Sequence, residues 1–231
     1  MEPLSTPTRR RGPSRRLDES AVVAAALAVL DEGGPQALSV RSVAARLGLQ
    51  PNALYTYVAD RAALERAVAE AVLGTADVDV LHDPALPPRA RITAYAHRLR
   101  TTLLAHPGVA PLLLSAPMDG PAALLVGELL LGTLADAGLS PDDAARATYL
   151  LIVLLVGSVA LEVAETDGRA PLPPEEARIA GRRAAMAAIP ADALPRTAAA
   201  ADVMAAWIGT DQLDWMLERT LDGILSRPAP R

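Results

Sequence analysis

Apolar residues recur along this chain at the three- and four-residue spacing of a helix, in runs cut by Pro and Gly. Nowhere do they alternate with the period of two that a half-buried strand needs. The pattern predicts an all-α protein. The first helix is expected from about Asp18 to Asp31, with acids at its positive end, a stripe through Val22, Ala26 and Leu30, and a Gly33-Gly34-Pro35 stop. The longest uncharged apolar run, Ala147 to Leu161, is 15 residues. That is short of the roughly 20 that a spanning helix requires, so it reads as a buried helix. The N-terminus has no apolar core of the kind a signal peptide carries, which points to the cytoplasm and away from a membrane. At 231 residues, 51% apolar, the chain can bury a core in one domain or two unequal ones. The absence of Cys excludes disulfides, thiolate catalysis and cysteine-ligated zinc.

Residues 39–57 hold the most informative spacing. Ser39 can cap a short helix, Val40 to Leu47, ended by Gly48 in the left-handed conformation, and a second helix starts near Pro51. Two short helices on a tight Gly-bearing turn cross steeply, with the small Ala44 at the contact. Val43, Leu47, Leu49, Leu54 and Tyr57 then fall where a helix-turn-helix buries its interior. Gln50, Asn52, Ala53, Tyr55 and Thr56 are left facing outward with no acid among them, a surface that a DNA major groove accepts. An ordinary helical hairpin shares this spacing, but Arg41 and Arg61 flank the outer face where phosphates would lie.

Charge is distributed unevenly. Residues 1–66 carry nine Arg against seven acids, and the remainder 13 Arg against 20 acids, so the basic end is the front of a chain of net charge −5. Five of those Arg, including Arg15 and Arg16, fall within residues 1–16 among Pro, Ser and Thr. That composition describes either a solubilising tail or a mobile arm that touches nucleic acid.

The stretch "ALSVRSVAARLGLQPNALYTYVADRAALERAV", with its Leu54-Tyr55-Thr56-Tyr57 core and a basic residue opening the next helix at Arg61, resembles the TetR-type transcriptional repressors of bacteria over about residues 17–70. The resemblance implies that Arg41, Tyr55 and Arg61 touch phosphates while Gln50, Asn52, Ala53 and Thr56 approach base edges. Three departures stand out: Gln50 where the family often has Ser or Thr as a cap, Arg61 where it has Lys, and Leu30 where an aromatic residue is common. The implied organisation is a basic arm (1–16), a three-helix DNA-binding domain (17–66) and a larger helical ligand-binding and dimerisation domain (67–231). The later sequence resembles, more weakly, the effector domain of the tetracycline-repressor subgroup.

In that fold a long helix around 141–165 and a terminal helix around 211–226 pair across a two-fold axis. The long helix is apolar nearly all round between Tyr149 and Leu161, with Gly157 and Ser158 allowing close approach, although a central core helix would look the same. Leu213, Leu217, Leu221 and Ile224 form one stripe of the terminal helix. A homodimer sets two recognition helices about 34–36 Å apart on a near-palindromic operator. A small-molecule effector would then act by changing that spacing. Candidate inward-facing ligand residues are Tyr95, Leu99, Thr102, His106, Met118, Leu125, Glu128, Tyr149 and Val153, a set suited to a hydrophobic molecule with one or two hydrogen-bonding groups.

No metal-ligand spacing involves the three histidines, no phosphate loop or nucleophile elbow is present, and no cofactor is implied. Paired acids such as Asp142-Asp143 and Glu175-Glu176 fall at expected helix starts, where the backbone dipole suffices to explain them. The Pro- and Ala-rich stretch 167–207 is expected to hold one or two short helices with loops, or to be a disordered connector. The sequence thus describes a ligand-responsive DNA-binding regulator rather than an enzyme. The rival reading is a non-DNA-binding helical dimer that carries a small molecule or binds a protein.

Overall fold

A computed structural model describes residues 18–115 and 117–226. Among these residues every regular element is helical. Glu19–Gly33 (α1), Val40–Arg46 (α2), Pro51–Leu54 (α3) and Arg61–Leu73 (α4) make the amino-terminal unit. α1 packs on α2 and α4, and α2 packs on α3. Val22, Ala26 and Leu30 are fully buried, so the expected stripe of α1 does face the core, and the helix runs on to Gly33.

The remaining helices are Pro88–Ala105 (α5), Ala110–Ser115 (α6), Pro121–Asp136 (α7), Pro141–Val163 (α8), Glu175–Met186 (α9), Pro195–Ala199 (α10), Ala201–Ala205 (α11) and Thr210–Leu225 (α12). α8 is the axis of this bundle and packs against α5, α6, α7 and α12. Its start is fixed by Ser140, whose hydroxyl accepts the Asp143 N–H at 3.2 Å, and by Pro141 in the first turn, where no N–H is needed. By length and hydropathy α8 would pass as a membrane span, but its buried stripe Ala144, Leu151, Leu155, Val159 and Val163 serves the protein core.

Three sequence expectations are revised. The Leu213–Leu217–Leu221 stripe of α12 is consumed inside the chain, buried against its own neighbours α5 and α8, with Ile224 partly covered. Any partner must therefore meet another surface. Residues 167–207 form three short helices rather than one or two. Glu175, expected merely to greet its own helix dipole, instead reaches across the bundle, accepting from the Thr210 N–H that opens α12 and from Arg100 of α5.

Candidate nucleic-acid interface and effector core

Ser39 and Ser42 fix the entry to α2. Ser39 Oγ accepts the Ser42 N–H at 3.1 Å, and Ser42 Oγ accepts the Ser39 N–H at 3.0 Å. Each bond satisfies a backbone donor that the first turn would otherwise leave open. Gly48 takes φ 68°, the left-handed region open to glycine at no steric cost, and turns the chain into α3. Val43, Ala44 and Leu54 are buried at the crossing, while Leu47, Leu49 and Tyr57 are half-buried. α3 is a single turn of four residues, with Gln50 at its N-cap forming no side-chain bond. Because the Gln50 amide is not spent on a cap, it projects from the surface with Asn52, Ala53, Tyr55 and Thr56, all exposed. The Thr56 hydroxyl donates to the Ala53 carbonyl, so with its proton engaged it can only accept from a further partner.

The flanking cations differ in availability. Arg41 is exposed and has no ion-pair partner among the described residues. Arg61 is already engaged, Nε with Glu65 at 2.7 Å and Nη2 with the Pro35 carbonyl at 3.1 Å, so it offers only part of its guanidinium. Arg46 forks onto Glu32 at 2.7 and 2.8 Å, which holds that carboxyl below the usual carboxylate range and braces α2 against α1. Arg15 and Arg16 lie outside the described residues.

Two joints connect this unit to the bundle. The Glu70 carboxylate of α4 accepts the Ala122 N–H at the start of α7, where Gly120 leaves it room. On the other side, His106 Nδ1 lies 2.9 Å from Asp31 Oδ2, and the Ala170 N–H donates to the Asp31 carbonyl at 2.8 Å. Glycine is needed at this second joint, since a Cβ on Gly108 would strike Leu30 and one on Gly168 would strike Pro35.

The nine candidate ligand residues do not converge. Tyr95 and Leu99 lie in the sealed interior between helices, and Thr102 and Met118 are half-buried. Burial pushes the Tyr95 phenol well above its ordinary pKa, and its hydroxyl has no hydrogen-bond partner among the described residues. Leu125, Glu128, Tyr149 and Val153 point outward, contrary to expectation. The reason lies in the phase of each helix. α7 buries Val126, Leu129 and Leu130, and α8 buries Leu151 and Leu155, which turns the intervening positions to the surface. His106 is spent on Asp31 rather than on the core.

The turned-out positions make a surface of their own. Tyr149 (71% exposed), Leu150, Val153 and Leu161 (73% exposed) line one face of α8. Isolated exposed apolar residues are common, but a stripe of them on one helix marks an interface.

A buried ionic cluster lies outside the residues that sequence spacing singles out. Arg100 forks onto Glu162 at 2.9 and 2.7 Å and reaches Glu175 at 2.7 Å, while Arg178 adds a third bond to Glu162 at 2.8 Å. Burial opposes the charge on Glu175, yet the Thr210 N–H, Arg100 and the Thr210 hydroxyl together hold its carboxyl below the usual range. The only signal in the sequence was a lone acid, Glu162, near the end of an aliphatic run. Among the described residues no three His, Asp or Glu gather as a metal site.

A profile of bacterial regulatory proteins of the tetR family matches residues 22–68, and one of the tetracyclin repressor-like C-terminal domain matches residues 83–227. A transcriptional regulator of the helix-turn-helix type from Saccharopolyspora erythraea is 33% identical over 146 residues, 63% of this chain and 61% of the relative. The match therefore spans less than two thirds of that protein's length. The class A tetracycline repressor of transposon 1721 from Escherichia coli is 31% identical over 156 residues, 64% of this chain and 68% of the repressor. A crystal structure of a possible TetR family regulator from Streptomyces coelicolor superimposes with a TM-score of 0.78 at 30% identity, covering 90% of this chain and 99% of that one.

Proposed function

Since the chain belongs to the tetR family of bacterial regulatory proteins, with a tetracycline-repressor-like carboxy-terminal domain, we propose that it is a homodimeric, ligand-responsive repressor acting on DNA in the cytoplasm. The observation that carries this reading is the outer face of α3. Five exposed side chains without an acid among them stand on a single turn packed against the capped helix α2, beside an Arg41 that has no ion-pair partner among the described residues. Gln50, Asn52, Ala53 and Thr56 read base edges, while Arg41, Tyr55, the free part of Arg61 and the arm residues Arg15 and Arg16 contact phosphates. The DNA-binding unit comprises residues 17–66 behind a basic arm (1–16), and residues 67–231 form the effector and dimerisation unit. The chain has no catalytic role.

The dimer forms through the exposed face of α8, with the outer face of α12 beside it. Covering Tyr149, Leu150, Val153 and Leu161 removes apolar surface from water at roughly 25 cal/mol per Å². A partner helix carrying the same stripe supplies the cover. The effector enters beside Tyr95 and Leu99, where the buried Tyr95 hydroxyl lacks the partner that a buried polar group needs. A hydrophobic molecule with one hydrogen-bonding group fits that requirement. Opening this packed region displaces helices that bear on both joints to the DNA-binding unit.

The test is titration of the full-length protein against the DNA upstream of its own gene, at two salt concentrations. A regulator binds one site tightly and loses affinity steeply as salt rises, because a dimer of total charge −10, twice −5, approaches DNA only through local cations. Binding without sequence preference would favour the carrier or interaction module instead.

A further inference from the structure

α9 is 12 residues long and places none of them in the core. Its two large apolar side chains, Ile179 and Met186, are half-buried, and neither joins the hydrophobic core that α5, α7, α8 and α12 share. α9 packs instead on α11 and on the single turn Ala206–Ile208. Ala205 and Ile208 are buried there, but they too stand outside the main core. The segment from α9 to α11 is thus a small layer of its own. It is joined to the bundle through the 166–173 loop after α8 and the 206–208 turn before α12.

What holds α9 down is charge. Glu175 accepts from Arg100 at 2.7 Å and from the Thr210 N–H at 3.0 Å, Arg178 donates to Glu162 at 2.8 Å, and Arg182 pairs with Glu165. The Arg178 and Glu162 side chains are 8% and 5% exposed, so closing strips both of water. In a buried pair the mutual attraction does little more than offset that loss, and α9 adds little apolar burial to tip the balance. Opening returns Arg178 to water, while Glu162 keeps both of its bonds from Arg100. A segment held in this way opens far more readily than the helices beneath it.

The loop that leads into α9 rests on the DNA-binding unit. The Ala170 N–H donates to the Asp31 carbonyl of α1 at 2.8 Å, and a Cβ on Gly34 would strike the Asp167 carbonyl. We propose that α9 to α11 form a strap, latched by the Arg178–Glu162, Arg182–Glu165 and Glu175–Arg100 pairs, whose release frees the 166–173 loop from α1. The strap reaches α1 by a path separate from the Glu70 joint. Its effect on operator binding rests on the function proposed above, whereas its opening does not.

Hydrogen–deuterium exchange on the full-length protein without DNA therefore tests the strap and leaves the operator reading untouched. Peptides from α9 and α11 are expected to exchange together, at least tenfold faster than peptides from α8 and α12. Arg178→Met removes one bond of the latch. It should speed exchange at least fivefold in α9, in α11 and in a peptide spanning Ala170, with α8 unchanged. Ile179→Ala trims the apolar contact of the same helix and should change these rates less than twofold. Thermal melts establish that each variant is folded. If Arg178→Met does not fold, Arg182→Met, which strands only the exposed Glu165, should give the same pattern at twofold or more. The proposal is overturned if α9 of the parent is as protected as α8, or if Ile179→Ala opens the segment as far as the arginine variant does. It is overturned equally if the Ala170 peptide keeps its protection while α9 opens, since the loop would then be held to α1 without the strap.

Discussion

The His106 imidazole hydrogen-bonds the Asp31 carboxylate across the seam between α5 and α1, tying the effector bundle to the DNA-binding unit at 2.9 Å. Both side chains are partly exposed, so the bond contributes modestly to stability, about 1 kcal/mol. Its larger effect is on orientation. His106→Ala is expected to loosen the seam and lower operator affinity about three- to tenfold. The slope of affinity against salt stays unchanged, because no phosphate contact is lost. Fluorescence anisotropy at several salt concentrations checks this, and a flattened slope would show that His106 itself reaches the DNA.

Arg41 and Asn52 separate the two kinds of DNA contact. Arg41→Ala weakens binding to all sequences alike and reduces the salt slope by about 1, as expected for one neutralised phosphate. Asn52→Ala costs about 1–3 kcal/mol on the preferred site and relaxes the preference at one base position. Binding to a library of single-base operator variants distinguishes them. A uniform loss for Asn52→Ala would remove it from the base-reading set.

Much of this surface was legible in the sequence because local rules govern it. Ser39, Gly48 and Pro51 act within a few residues of themselves, so the turn and both helix starts follow from the letters alone. The ligand side was less legible. A helix apolar on nearly all sides, such as Tyr149 to Leu161, gives no phase, and only packing against α5, α6 and α7 decides that Tyr149 and Val153 face out. The terminal stripe Leu213–Leu217–Leu221 has a clear phase, but the sequence does not say whether its cover comes from the same chain or a second one. The Arg100–Glu162–Glu175–Arg178 cluster joins residues up to 78 positions apart, from Arg100 to Arg178, and no local spacing announces it.

Val153 lies in the exposed apolar face of α8, so a charge there acts on the dimer and not on the fold of one chain. Where the proposed dimer pairs through this face, Val153→Asp sets an unpaired carboxylate from each protomer into the interface. The dimer dissociation constant is expected to rise at least 100-fold, about 3 kcal/mol. Sedimentation velocity should show monomers whose circular dichroism is unchanged. Operator affinity should fall with dimerisation, since one recognition helix reads only a half-site. An intact dimer would mean that α8 pairs through different residues or not at all.

Glu175 ties α9 to the start of α12 and to Arg100, and these bonds hold its carboxyl below the ordinary value of about 4.3. A carboxylate whose folded pKa is depressed contributes stability that is fully present above its unfolded pKa. That contribution is lost as pH falls through the folded value. Glu175→Gln keeps the volume and an acceptor for the Thr210 N–H but removes the charge facing Arg100. With the side chain 33% exposed, solvent screens part of the attraction, so the variant should be less stable by about 1 kcal/mol at pH 7. The gap should narrow below about pH 4 as the parent glutamate takes up its proton. Urea unfolding of both proteins at pH 7, 5 and 3.5 measures it. A gap that stays constant with pH would show that Glu175 acts through shape alone and that Arg100 is neutralised by Glu162 without help.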